Sequence, residues 1–98
     1  MRLRAAQGRL KIEHSIIDGV RPLIERLLQT EPEIRLVVPG RIGRVRDARG
    51  PVNVRVTVPT QNGWKAIALS AGARQELFVS TPLGKEELER AFARAAQR

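Results

Sequence analysis

The chain has no cysteine and no tyrosine, and only one tryptophan, two phenylalanines, one methionine and one histidine. Without cysteine, disulfides, thiolate metal sites and cysteine nucleophiles are excluded. Trp64, Phe78 and Phe92 are the only aromatics, so an exposed platform of several rings for stacking bases is not available. No apolar run approaches the roughly 18 residues that a membrane-spanning helix needs. The opening segment MRLRAAQGRL is basic but has no apolar core of its own. It is not read as a secretory signal, and the expected location is cytoplasmic.

Length and charge bound what is present. Ninety-eight residues suit one domain with one modest core. Residues 1–7 are expected to be a flexible basic N-terminal tail, with residues 8–98 forming a single domain. Eighteen Lys and Arg stand against ten Asp and Glu, for a net charge of +8 and a pI near 11.6. That surplus favours polyanionic partners and says nothing about fold. Fifteen of the eighteen cations are arginine. Arginine grips phosphate bidentately and stacks on bases, although the codon usage of a GC-rich genome explains the bias equally well.

The chain is organised around residues 35–58, RLVVPGRIGRVRDARGPVNVRVTV, which hold Arg35, Arg41, Arg44, Arg46, Arg49 and Arg55 against a single acid, Asp47. Val52, Val54, Val56 and Val58 alternate with polar residues at the period of a half-buried strand. Arg44 and Arg46 flank Val45 in the same alternation, so both are expected on one face with Val45 on the other. A hairpin here would bury valines and display arginines.

Elsewhere the punctuation is clear. Leu10 and Ile12 alternate with charges over 9–13, a short strand. A helix is expected over about 19–30, with Pro22 in its first turn and Val20, Leu23, Ile24, Leu27 and Leu28 as the apolar stripe. Residues 33–38 read as a central strand, Pro39-Gly40 as a turn, and 41–46 as the next strand with a bulge at Gly43. Strands follow over 52–58, 64–70 and 75–80, with Asn62-Gly63 as the tight hairpin pair. Thr81-Pro82 then reads as the cap and first residue of a second helix, with Leu88, Ala91, Phe92 and Ala95 buried. The sum is an α+β two-layer sandwich: an antiparallel sheet of about five strands with two helices on one face and arginines on the other.

Few constellations carry chemistry. Gly40-Arg41-Ile42-Gly43 matches the G-x-x-G loop of KH domains, but Gly50-Pro51 leaves little room for the helix that should follow, and a turn plus a bulge explains the glycines better. His14 and Asp18 are weak metal-ligand candidates, since zinc takes several His or Cys ligands and one histidine exists. His14-Ser15 lacks the third group that would orient a dyad. Trp64 is expected to pack into the core or on the hairpin rather than stack on a base. No cofactor is implied.

One resemblance bears on function. His14-Ser15, Ile17-Asp18-Gly19-Val20-Arg21-Pro22-Leu23-Ile24-Glu25-Arg26-Leu27 and Pro39-Gly40-Arg41-Ile42-Gly43-Arg44-Val45-Arg46 together resemble an uncharacterised prokaryotic family of unknown function, DUF2103, over most of residues 8–80. The family carries the tag "predicted metal-binding", which goes naturally with cysteine clusters; this chain has none.

The leading expectation is therefore a small nucleic-acid-binding module, RNA ahead of DNA, contacting phosphates through Arg41, Arg44, Arg46, Arg49, Arg55 and Lys65. The alternative is a protein-interaction module that pairs through a free sheet edge as a homodimer. An enzymatic role ranks behind both.

Overall fold

A computed structural model of the chain describes residues 9–11, 16–44, 51–70 and 72–97. The elements run α1 (Arg21–Thr30), β1 (Leu36–Arg44), β2 (Asn53–Thr60), β3 (Gly63–Ser70), β4 (Ala73–Ser80) and α2 (Lys85–Ala96). Among the described residues the sheet has four antiparallel strands in the order β1-β4-β3-β2. The expected α+β architecture holds, with four strands rather than about five.

Helix α1 begins where its proline allows. Pro22 sits in the first turn, where an amide would have no partner in any case. Leu23, Ile24, Leu27 and Leu28 are buried at helical spacing, with Val20 beneath them. Helix α2 starts at Lys85, not after Thr81. Glu87 folds back to accept the Gly84 backbone N–H at 3.0 Å, which caps the helix, while Thr81 Oγ1 accepts the Leu83 N–H at 3.1 Å and donates to the Glu33 carbonyl at 3.0 Å. Thr81 thus makes a turn ahead of the helix, and the cap passes to Gly84. Leu88, Ala91, Phe92 and Ala95 are buried as their spacing predicts.

One cluster joins both helices to one sheet face: Val37, Val56, Ala66, Ala68, Leu77 and Val79 lie with the helix stripes. Trp64 packs against that cluster and donates its indole Nε1–H to the Leu83 carbonyl at 2.9 Å, so it belongs to the core. Gln75 is fully buried beside it. Its Oε1 accepts the Ile17 backbone N–H at 2.9 Å and ties the turn ahead of α1 to the sheet.

Three expectations about the central stretch give way. Residues 33–38 and 41–46 are not two strands joined at Pro39-Gly40; β1 runs straight through. Two residues, Gly40 and Arg41, oppose Glu76 alone, so the bulge lies there and not at Gly43. That continuity also excludes a KH-type loop. Next, β1 and β2 do not form a hairpin. They are the two edges of the sheet, with β4 and β3 between them, because β1 waits for β4 as its partner. Hence β1 is not central. Among the described residues, its outer side meets a parallel bridge from Leu10 to Val37, where the Lys11 N–H donates to the Val37 carbonyl at 2.9 Å. Of the strand expected over 9–13, Leu10 makes this bridge, whereas Arg9 is helical. Finally, a register shift at Thr57 turns Val58 outward, and it is 50% exposed instead of buried with Val56.

The hairpins are tight. Thr60 pairs with Gly63, so the loop residues are Gln61-Asn62, one position earlier than expected. Gly63 is required because a Cβ there would overlap the Val79 carbonyl oxygen of β4. Ser70 pairs with Ala73, and Gly72 takes φ 83°, the left-handed conformation that suits glycine in such a turn.

Candidate nucleic-acid interface

The sheet face away from the helices is built by alternation. Val38 and Glu76, Phe78 and Lys65, Ile67 and Arg55, Leu69 and Arg74 are carried on residues whose neighbours point into the core. Cross-strand pairing sets them in rows. Val38, Phe78 and Lys65 form one row, continued by Val58; Glu76, Ile67 and Arg55 form the next; Arg74, Leu69 and Asn53 form the third. The face is therefore an apolar strip crossed by charges and not a uniform field of arginine.

Of the expected contact residues, Arg55 is exposed on β2 and Lys65 is half-buried on β3. Arg41 is exposed at the β1 bulge. Arg41 and Arg55 sit on opposite edge strands, about 14 Å apart by three strand spacings. Arg44 ends β1 opposite Ala73. Arg46, Arg49 and Val45 lie outside the described residues, as do His14, Ser15 and the 1–7 tail. Arg74, which sequence reasoning passed over, joins the face because it pairs with Gly43 and Leu69. Its signal was available: Arg74, Glu76 and Phe78 alternate with the buried Gln75, Leu77 and Val79.

Among the described residues one acid stands on this face. Lys65 Nζ lies 3.2 Å from Glu76 Oε2. That ammonium hydrogen bond holds the Glu76 carboxyl below the ordinary carboxylate value; burial opposes it, while the Lys65 charge and the backbone N–H and charge of Arg41 at the bulge support it. The folded value is lower than the unfolded one, so ionised Glu76 stabilises the fold above the ordinary carboxylate pKa. That contribution is lost as pH falls through the lowered value.

Several cations elsewhere are committed to structure. Arg9 is half-buried and donates to the carbonyls of Glu31 at 3.1 Å and Ile34 at 2.7 Å. Arg26 Nε donates to the Ala95 carbonyl at 2.8 Å and joins α1 to the end of α2. Arg94 pairs with Glu31 at 2.9 Å. What separates the two layers is the balance of charge. The four strands carry Arg41, Arg44, Arg55, Lys65 and Arg74 against Glu76 alone. The two helices carry Arg21, Arg26, Lys85, Arg90 and Arg94 against Glu25, Glu86, Glu87 and Glu89.

Fold and surface together define a two-layer α+β sandwich with a basic sheet face turned away from its helices. The chain belongs to the DUF2103 family, whose model, described as a predicted metal-binding protein, matches residues 5–97. No curated protein and no solved structure matches it. That description implies a metal; among the described residues no three of His, Asp and Glu stand together to hold one. Asp18 is exposed in the turn before α1, and His14 and Glu13 lie outside the described residues. No helix among the described residues is long and apolar enough to cross a membrane.

Proposed function

We propose that the protein is a nucleic-acid-binding module that holds a phosphate backbone against the open face of its sheet. The observation that carries the reading is the charge asymmetry between layers: five cations and one acid on the strands, where that acid is already engaged by Lys65, against a near-balanced helix layer. Arg41, Arg55 and Arg74 supply the contacts among the described residues, with Lys65 in exchange between Glu76 and phosphate. Arg44, Arg46 and Arg49 follow Arg41 in sequence. A cytoplasmic location goes with this function, since RNA is met there.

Phosphate contact of this kind is salt-dependent. Three to four contacts to a single strand predict that log K falls against log salt with a slope on the order of −2 to −3. Titrating mixed-sequence RNA and DNA probes at several salt concentrations checks this. No binding to any probe at low ionic strength overturns the function.

The sheet edges do not favour the alternative of a strand-paired homodimer. On β1, Pro39 offers no N–H, the ladder is broken by a bulge, and the Leu10 bridge occupies the outer side. On β2, Pro59 lacks its N–H, Thr57 is bulged, and Glu89 Oε2 of α2 accepts the Val56 N–H at 3.1 Å. Each is a device that blunts an edge against pairing.

A further inference from the structure

Of the three aromatic rings, two are turned inward. Phe92 is 1% exposed, and Trp64 is held by its bond to the Leu83 carbonyl. Phe78 is 37% exposed on the open face, on the interior strand β4. Its direct cross-strand neighbours are Val38 on β1 and Lys65 on β3. Gly40 makes room for it: a Cβ at that position would stand 2.7 Å from Phe78 Cε2 and 3.1 Å from Glu76 Cβ. The ring therefore lies against the bulged backbone of β1, with cations on both sides of it, Arg41 beside that glycine and Lys65 one strand away. Beyond it on β4, the next open-face residue, Ser80, lines a cleft of about 630 Å³ with Arg35, Leu36, Gln61, Asn62 and Trp64.

A duplex offers phosphates to such a face but keeps the faces of its bases stacked inside. An unpaired strand offers both: a base can lie on a ring while its phosphates meet flanking cations, and the next nucleotide finds polar groups within reach. We infer that the open face takes single-stranded nucleic acid in preference to duplex, with Phe78 as the residue on which one base stacks and the Arg35–Asn62 cleft receiving the neighbouring nucleotide. This rests on the phosphate-binding function proposed above and names its substrate class. Charge complementarity argues for a nucleic acid over a second protein, because an apolar partner surface would have to bury Arg55, Arg74 and Lys65 beside the ring.

The experiment compares Phe78→Leu and Phe78→Trp with the unaltered chain. Each is titrated with a mixed-sequence single-stranded RNA and with a hairpin duplex of the same length, with melting curves and sedimentation measured alongside. The single strand is expected to bind the unaltered chain more tightly than the duplex. The Leu variant is expected to stay folded and to bind the single strand roughly 5- to 100-fold more weakly, with duplex binding and salt slope unchanged. The Trp variant, which restores a stacking surface, is expected to recover the affinity, and this keeps the test valid if the Leu variant loses stability. Equal binding of duplex and single strand by the unaltered chain, or a Leu variant that is folded and unaffected, overturns the single-strand inference and leaves phosphate binding standing. A dimer that Phe78→Leu dissociates into monomers also overturns it, by making the ring a protein contact. Absence of any RNA binding at low salt overturns both.

Discussion

The helix layer and the open sheet face use the same side chain in two ways. Beside the helices, arginines are tied to carbonyl oxygens: Arg9 to Glu31 and Ile34, and Arg26 to Ala95. Their charge is matched locally by helix C-terminal dipoles or by an acid, as Arg94 is by Glu31. On the sheet, no acid forms an ion pair with Arg41, Arg55 or Arg74 among the described residues. Net charge alone conceals this division. A surplus of +8 does not measure the charge a ligand meets, because part of it holds the helices in place.

The largest effect is expected from removing a cation on the helix side. Arg26→Met keeps much of the stem but leaves the Ala95 carbonyl without its charged donor. It should cost about 1.5–3 kcal/mol of stability and lower the melting temperature by roughly 10 °C, with polyanion affinity per folded molecule unchanged. A variant that melts normally but binds RNA poorly would move Arg26 to the ligand side of the division.

The next effect is the reverse in kind. Arg41→Glu combined with Arg55→Glu should leave stability within about 0.5 kcal/mol for each site, since both residues are exposed. RNA affinity should fall roughly tenfold, about 1.4 kcal/mol, at moderate salt, and the salt slope should flatten by roughly 1.5. Melting curves together with binding against salt check this. Unchanged binding by a folded double variant shows that the open face is not the contact surface.

The smallest effect is expected at Glu76. Glu76→Gln releases Lys65 from its acid partner. The salt slope should steepen by somewhat under one unit, with a modest gain in affinity. The same variant should flatten the fall in stability on acidification through Glu76's lowered pKa, because the depressed folded value no longer contributes. A stability profile identical to that of the unaltered chain in acid shows that the Lys65–Glu76 pair contributes nothing measurable.

Much of this was legible in the residues, and the reasons for the rest are physical. The stripes of α1 and α2 were readable because 3.6-residue spacing depends on one helix at a time, and Leu23 to Leu28 and Leu88 to Ala95 are buried as spaced. Strand content was readable for the same reason. Neighbours were not. Alternation says which residues share a face but not which strand lies alongside, so the pairing of β1 with β4 stayed hidden behind the nearer β2. Bulges were hidden too: Val56 and Val58 look equivalent until Thr57 is seen opposite a register shift. For the site, Arg55 was found by alternation, and Arg74 and Phe78 share that alternation on β4, whereas the cross-strand rows they join came into place only with the register. The commitment of Arg9 and Arg26 could not have been read, because their partner carbonyls lie far along the chain.

The strand order has a consequence for a chain made from its N-terminus. Strand β1 is synthesised first and is the farthest from its partner, whereas β2, β3 and β4 each lie one tight turn from a neighbour. The local meander can close quickly, but the β1–β4 ladder must await loop closure over everything between. During that interval β1 is an unpaired, apolar strand beside other nascent chains. The proline at 39 and the arginines at 41 and 44 then guard it at its most exposed moment, so features that mark the finished surface also protect the chain on its way to it.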